Sequence, residues 1–150
     1  LELSCKNLSL RVLANGVYGN DIANGNLLQL ATPEGISWSN ITNAAYNNAW
    51  RPESPSNSYP RIGYTTNGMT AVPDWIIEDG SFLRISNINL SYQFDKVNIY
   101  LSAQNLFTFT GYSGYNPEVT SFLYDGLRNG VDWNGQPSAR KFTIGLNFNL

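Results

Sequence analysis

Three short stretches of the chain carry residue types able to do chemistry. Asp132-Trp133-Asn134-Gly135 has the opening pattern of a calcium loop, in which side-chain oxygens precede a glycine turn. The place that a bidentate glutamate would fill holds Thr143, so the ligand set is incomplete. Gly111-Tyr112-Ser113-Gly114-Tyr115 comes near a nucleophile elbow, yet it lacks the last glycine. With no histidine anywhere in the chain, a Ser-His-Asp triad cannot be assembled around Ser113. Glu78 and Asp79 adjoin each other on a turn, whereas paired glycosidase carboxylates must face each other across a cleft. The lone Cys5 sits on an apolar parity and reads as a small hydrophobe, and without histidine the usual zinc, haem and copper sites have no ligands. No enzyme activity, metal or cofactor is expected.

Rings are the richer signal. Trp38, Trp50, Tyr59, Trp75, Tyr112, Tyr115 and Trp133 all fall in two long stretches, 20–80 and 110–138, rich in Gly, Pro and Asn. Sugars stack their apolar faces on such rings while Asn and Asp bind the hydroxyls, so carbohydrate contact is one reading. The other is packing of the long stretches against each other. Trp38 and Trp133 are the better ligand candidates, because Trp50 and Tyr59 belong to a proline-rich motif that reads as a fixed brace.

These stretches need elements to hold them. The final residues, KFTIGLNFNL, alternate strictly: Phe142, Ile144, Leu146, Phe148 and Leu150 on one parity, Lys141, Thr143, Gly145, Asn147 and Asn149 on the other. That is a strand with one apolar and one polar face. The same design predicts strands near 8–19, 81–94, 97–109 and 139–150, with the tail of a fifth at 1–5. Asp95-Lys96 and Lys6-Asn7 leave room only for tight hairpins. On this count Arg84 shares its parity with Phe82 and Ile88 and would lie on the apolar face, near the end of its strand.

Alternation fits two solvents, since the apolar side of a soluble β-sandwich alternates in the same way against a protein core. Soluble strands peak at about 5 to 6 residues. These run about twice that, the length a tilted strand needs to cross a bilayer, about 9 to 11 residues. Short turns at one end and long loops at the other are an outer-membrane barrel pattern, and Tyr92, Phe94 and Phe148 against Tyr18, Phe107 and Phe109 would form its two aromatic girdles. Charged residues make up only 13% of the chain against the usual quarter or so, and the net charge of -2 offers no footprint for nucleic acid. The abrupt start at LELS reads as a piece of something longer, its C-terminal part.

Taken together, Tyr18-Gly19-Asn20-Asp21-Ile22, Trp50-Arg51-Pro52-Glu53-Ser54-Pro55, Tyr59-Pro60-Arg61, EDGSFLRISNINLSYQF, IYLSAQNLFTFTGYSGYNPEV and the terminal KFTIGLNFNL resemble SusC/RagA-type TonB-linked outer-membrane transporters. The resemblance implies an all-β fold, the last antiparallel strands of a barrel of about 22, with 20–80 and 110–138 as extracellular loops and the plug domain absent from this chain. It implies active import of a bulky nutrient, a glycan or peptide, energised through the TonB complex, in the outer membrane as a multi-pass protein. A SusD-like surface lipoprotein would form the lid, so Trp38, Trp50, Tyr59, Tyr112, Tyr115 and Trp133 are candidates for ligand or lid contact. Thr143, Gly145, Phe148 and Leu150 fit the terminal pattern read by the outer-membrane assembly machinery, Leu150 replacing the usual Phe. The alternatives are a secreted carbohydrate-binding β-sandwich and a siderophore or cobalamin receptor of the same barrel type.

Overall fold

A computed structural model describes residues 1–31, 40–62, 73–119 and 130–148. In chain order its elements are β1 (Glu2–Cys5), β2 (Leu8–Val17), β3 (Asp21–Asn24), α1 (Gly25–Ala31), α2 (Asn43–Asn48), β4 (Ile77–Asp79), β5 (Phe82–Phe94), β6 (Val97–Thr110), β7 (Val131–Asp132) and β8 (Lys141–Phe148). They divide between two compact units. The first comprises Leu1–Gly19, Gly80–Gly111 and Pro137–Leu150; the second comprises Asn20–Asp79 and Tyr112–Gln136.

The first unit is one antiparallel sheet in the order β1-β2-β5-β6-β8. β5 and β6 are 13 and 14 residues long, well beyond an ordinary soluble strand. Two-residue turns close β1 onto β2 and β5 onto β6. In the first, Lys6 takes a positive φ of 52°.

Directly opposed residues in neighbouring strands share a face, so the pairings sort the side chains. Leu3, Leu10, Leu90, Leu101 and Ile144 form one continuous row across all five strands. Cys5, Leu8, Tyr92, Ile99 and Leu146 form the next row on that face. On the other face, Glu2, Arg11, Asn89, Ser102 and Thr143 make one row, and Ser4, Ser9, Ser91, Tyr100 and Gly145 another. Leu13, Val17, Phe82 and Tyr100 are the apolar members of this otherwise polar face.

One expectation is overturned at the start of β5. Ser86 is an extra residue between the pairs Leu13↔Asn87 and Ala14↔Ile85, and in β6 Asn105 and Leu106 both fall between Gln104 and Phe107. Such a bulge exchanges the faces of the residues beyond it. Leu83 and Ile85 therefore join the apolar face opposite Phe109 and Phe107, while Phe82 and Arg84 pass to the polar face opposite Thr110 and Thr108. Arg84 is 4% exposed, donates from Nε to Thr108 Oγ1 at 3.0 Å, and lies 5.5 Å from the centre of the Phe82 ring. It is no lipid-facing charge. The bulge is held by side chains: Ser86 Oγ donates to the Leu13 carbonyl at 3.1 Å, and Asn105 Nδ2 donates to the Ala139 carbonyl at 3.1 Å.

The second unit holds a three-stranded sheet, β4-β3-β7, in which β3 runs antiparallel to β4 and parallel to β7. Stretches read from sequence as loops without periodicity thus contain two short α-helices, a 3-10 turn at Asp74–Ile76 and a small sheet. Its strands are two to four residues long, too short for alternation to show. Ile22, Ala45, Ala49 and Ile76 are buried.

Asn105 has a φ of 52°, a left-handed conformation that costs a branched residue about 1 to 2 kcal/mol. Asn105→Val should lower the denaturant midpoint of the folded barrel by an equivalent amount or more, since the bond to Ala139 is lost too. Asn105→Gly should cost less than half as much.

Candidate functional site

Two features can act on surroundings: the apolar face of the first unit and a ring-lined cleft in the second. On the face, Leu101 is 51% exposed, Ile144 76% and Phe142 66%. A soluble sandwich requires a second sheet packed over these side chains, and here they are uncovered. The face carries no charged residue from one turn to the other. Aromatic residues lie toward both of its ends. The Tyr92 and Phe94 rings are 4.5 Å apart beside the Asp95-Lys96 turn, and those of Phe107 and Phe109 are 6.4 Å apart at the opposite end.

In the second unit, backbone bonds bring Trp50 and Tyr59 together. Trp50 N donates to the Tyr59 carbonyl at 3.1 Å, and Ala49 and Tyr59 form a parallel bridge. Between them Arg51 and Ser54 exchange both backbone bonds, closing a tight turn around Pro52. The Arg51 guanidinium is spent on its own surroundings, donating to the Tyr46 carbonyl at 2.9 Å and lying 5.2 Å from the centre of the Tyr46 ring. Trp50, Tyr59 and Trp75 then line a cavity of about 270 Å³, together with Ser56, Asn57, Ser58, Pro60 and Arg61. The motif is a brace, as its prolines suggest, and the brace also shapes a cleft. Of the polar residues lining that cleft, Arg61 belongs to the Tyr59-Pro60-Arg61 block, while Ser56, Asn57 and Ser58 carry no sequence pattern that would have singled them out.

The other predicted rings are not gathered there. Trp38 lies outside the described residues. Tyr115 is 70% exposed. A Cβ on Gly25 would stand 2.3 Å from Trp133 Cε3, so the indole lies against that glycine while the residue remains 42% exposed. Tyr112 is 5% exposed, and its hydroxyl donates to Asp132 Oδ2 at 2.7 Å. It offers no ring to a ligand. Asp132 also accepts from the Gly135 N–H at 3.2 Å, through Oδ1. Nearby, Glu78 accepts from Asn24 Nδ2, Ser113 N and Ser113 Oγ, each at 2.8 Å. Asp132, Ser113 and Glu78, one residue from each of the three stretches that suggested chemistry, thus help fasten β3, β4 and β7 to the 112–113 segment. Asn24, which joins them, had no sequence signal. Among the described residues no group of three or more potential metal ligands gathers.

Of the terminal-strand residues, Thr143, Gly145 and Phe148 lie in β8, with Thr143 and Gly145 on the polar face and Phe148 on the apolar one. Leu150 lies outside the described residues.

An uncovered, uncharged face on long antiparallel strands defines a segment of a larger transmembrane β-barrel, since five strands cannot close one. No family model matches the chain. It is 29% identical over 97% of its length to TonB-dependent receptor P3 of Formosa agariphila, and 34% identical over 49% of its length to TonB-dependent receptor SusC of Bacteroides thetaiotaomicron. These matches span only 15% and 8% of the relatives. Among solved structures, the RagAB peptide importer in its closed-closed state superposes with a TM-score of 0.72 at 25% identity, over 95% of this chain and 16% of that one. Its open-open state gives 0.74 at 23% identity, a likeness of fold. The resemblance to SusC/RagA-type TonB-dependent transporters therefore holds in both sequence and fold.

Two outcomes follow. Leu146→Arg should block assembly or cost about 2 to 4 kcal/mol near the bilayer midplane, whereas Asn147→Arg on the polar face should be mild, as read from folded protein recovered in membranes. Burial, then the bond to Asp132 and the charges of Asp132 and Glu78, push the Tyr112 phenol well above its ordinary value of 10.0. A raised acid adds stability that is complete below the ordinary value and is lost as pH climbs past it. Protease cleavage within the second unit should therefore rise above about pH 10, and Tyr112→Phe should flatten that rise.

Proposed function

We propose that the chain forms part of the wall and outer loops of a TonB-dependent outer-membrane importer for a bulky nutrient, a glycan or a peptide. The observation that carries this reading is the uncovered apolar face, for which lipid is the matching solvent. The relatives named as TonB-dependent receptors, and the likeness to a peptide importer, support it. In this arrangement the Lys6-Asn7 and Asp95-Lys96 turns lie at the periplasmic side and the second unit stands outside the cell. A SusD-like lipoprotein covers the loops, and energy arrives through the TonB complex. The terminal residues Thr143, Gly145, Phe148 and Leu150 take part in recognition by the assembly machinery.

Within that frame the Trp50, Tyr59 and Trp75 cleft is the contact surface we favour for nutrient, with Trp133 and Tyr115 as exposed rings for nutrient or lid. Its volume suits one sugar ring or one amino-acid side chain rather than a whole substrate. Ring stacking is worth about 0.5 to 1.5 kcal/mol per pair, so losing two rings should cost about tenfold in affinity.

The experiment uses the full-length protein in its own host. Deleting the gene should abolish growth on the imported glycan or peptide, and so should loss of TonB. Trp50→Ala combined with Trp75→Ala should raise the nutrient concentration for half-maximal uptake about tenfold with normal protein in the membrane. Unchanged uptake in the double variant would remove the cleft from the path; unchanged growth in the deletion strain would remove import itself.

A further inference from the structure

The four strand pairings of the first unit are of two kinds. Two-residue turns join β1 to β2 and β5 to β6, and a turn of fixed length dictates which residues face each other. β2 and β5 are instead separated by 18–81, and β6 and β8 by 111–140. Neither connection is a turn whose length dictates register, although β3 and β4 pair within the first of them. The register must nevertheless be right, because a slip of one residue between β6 and β8 would put Lys141, Thr143 and Asn147 on the apolar face.

Each of these two pairings contains a glycine against which the facing strand closes, and neither hairpin pairing contains any glycine. Gly16 opposes Leu83, and a Cβ on it would lie 2.4 Å from the Phe82 carbonyl oxygen and 3.3 Å from the Leu83 Cα. Gly145 opposes Tyr100, and a Cβ there would lie 2.3 Å from Tyr100 Cζ and 2.4 Å from its Cε1. The Tyr100 ring lies across the glycine, in a notch no other residue type leaves open. The two flanking positions on the same face of β8, Thr143 and Asn147, both carry side chains that would obstruct it. A ring that fits over one residue of β8 and not over its neighbours reads position along the strand.

We propose that Gly16 and Gly145 are register keys for the two pairings that lack a turn, each admitting the facing strand where a side chain would exclude it, Gly145 beneath the Tyr100 ring. Strand propensity makes the opposite forecast, since valine favours strands and glycine weakens them. The inference rests on the fold alone and is independent of what is transported.

The test measures the folded fraction of the full-length protein in outer membranes by its heat-modifiable migration. Alanine is too small to settle the matter, because the ring can swing aside about χ1; valine is not. Gly145→Val should lower the folded fraction at least fivefold, Tyr100→Ala should stay within twofold of the parent, and the double variant should return to the Tyr100→Ala level. Gly111→Val serves as control, as a Cβ there meets nothing within 4 Å. In a Cys5→Ser background, cysteines at the opposed positions Asn98 and Asn147 should cross-link. Adding Gly145→Val to that pair should reduce the yield at least fivefold, and Tyr100→Ala should restore it. Normal assembly of Gly145→Val would overturn the proposal. So would a double variant as deficient as Gly145→Val alone, since the glycine would then act through something other than the ring.

Discussion

An apolar side chain held half in water forfeits much of the roughly 25 cal/mol per Å² that burial would return. The row from Leu3 through Leu10, Leu90 and Leu101 to Ile144 carries that loss across one sheet, and the rows beside it repeat it. Chains do not keep such a face exposed without a medium that matches it. Hydrocarbon is that medium. It imposes a second demand, because backbone N–H and C=O groups find no partners in lipid. Long antiparallel strands meet the demand inside the sheet, and the outer edges of β1 and β8 meet it only against further strands. Length, alternation and the need for neighbours are one constraint.

Most of the sheet was legible because a half-buried strand writes its two faces into the sequence with a period of two. β2, β6 and β8 keep that period on the apolar side, and their faces follow from parity alone. β5 does not. Parity counted from Ile88 back to Phe82 crosses Ser86, and one inserted residue exchanges every assignment beyond it. A serine between isoleucine and asparagine gives no warning, since bulges are settled between strands. The positive φ of Asn105 is the nearest local trace, asparagine being one of the few residues that enters that region readily. Removing Arg84 from the apolar face also removes the one charge that had seemed out of place there.

The second unit was far less legible. Strands of two to four residues show no period, and its core is small, built around Ile22, Ala45, Ala49 and Ile76. Sequence counted the rings but could not say which of their faces are occupied. Tyr112 looked no different from Tyr115, yet a hydroxyl placed on Asp132 buries the one, and the other is left in the open. Trp133, favoured because it stands outside the proline-rich motif, spends one side of its indole on Gly25. Trp50 and Tyr59, set aside as a brace, do brace, and in doing so they enclose a cleft with Trp75.

The low charge of the chain follows from these two environments. In the first unit the charged residues sit in three kinds of place. Lys6, Asp95 and Lys96 occupy the tight turns, Glu2, Arg11, Arg84 and Lys141 are on the polar face, and Arg140 lies just before β8. None is on the apolar face, where a cation at the midplane would cost about 2 to 4 kcal/mol. Half of the sheet's surface is thereby closed to charge. In the second unit, amides and hydroxyls gather on single carboxylates, as Asn24 and Ser113 on Glu78 and Tyr112 on Asp132. A carboxylate that accepts several neutral donors needs no buried cation beside it, and avoids the desolvation of a second ion. Asn, Ser and Tyr therefore take the places that Lys and Arg would hold in a water-soluble protein, and the composition records the two solvents before any strand is drawn.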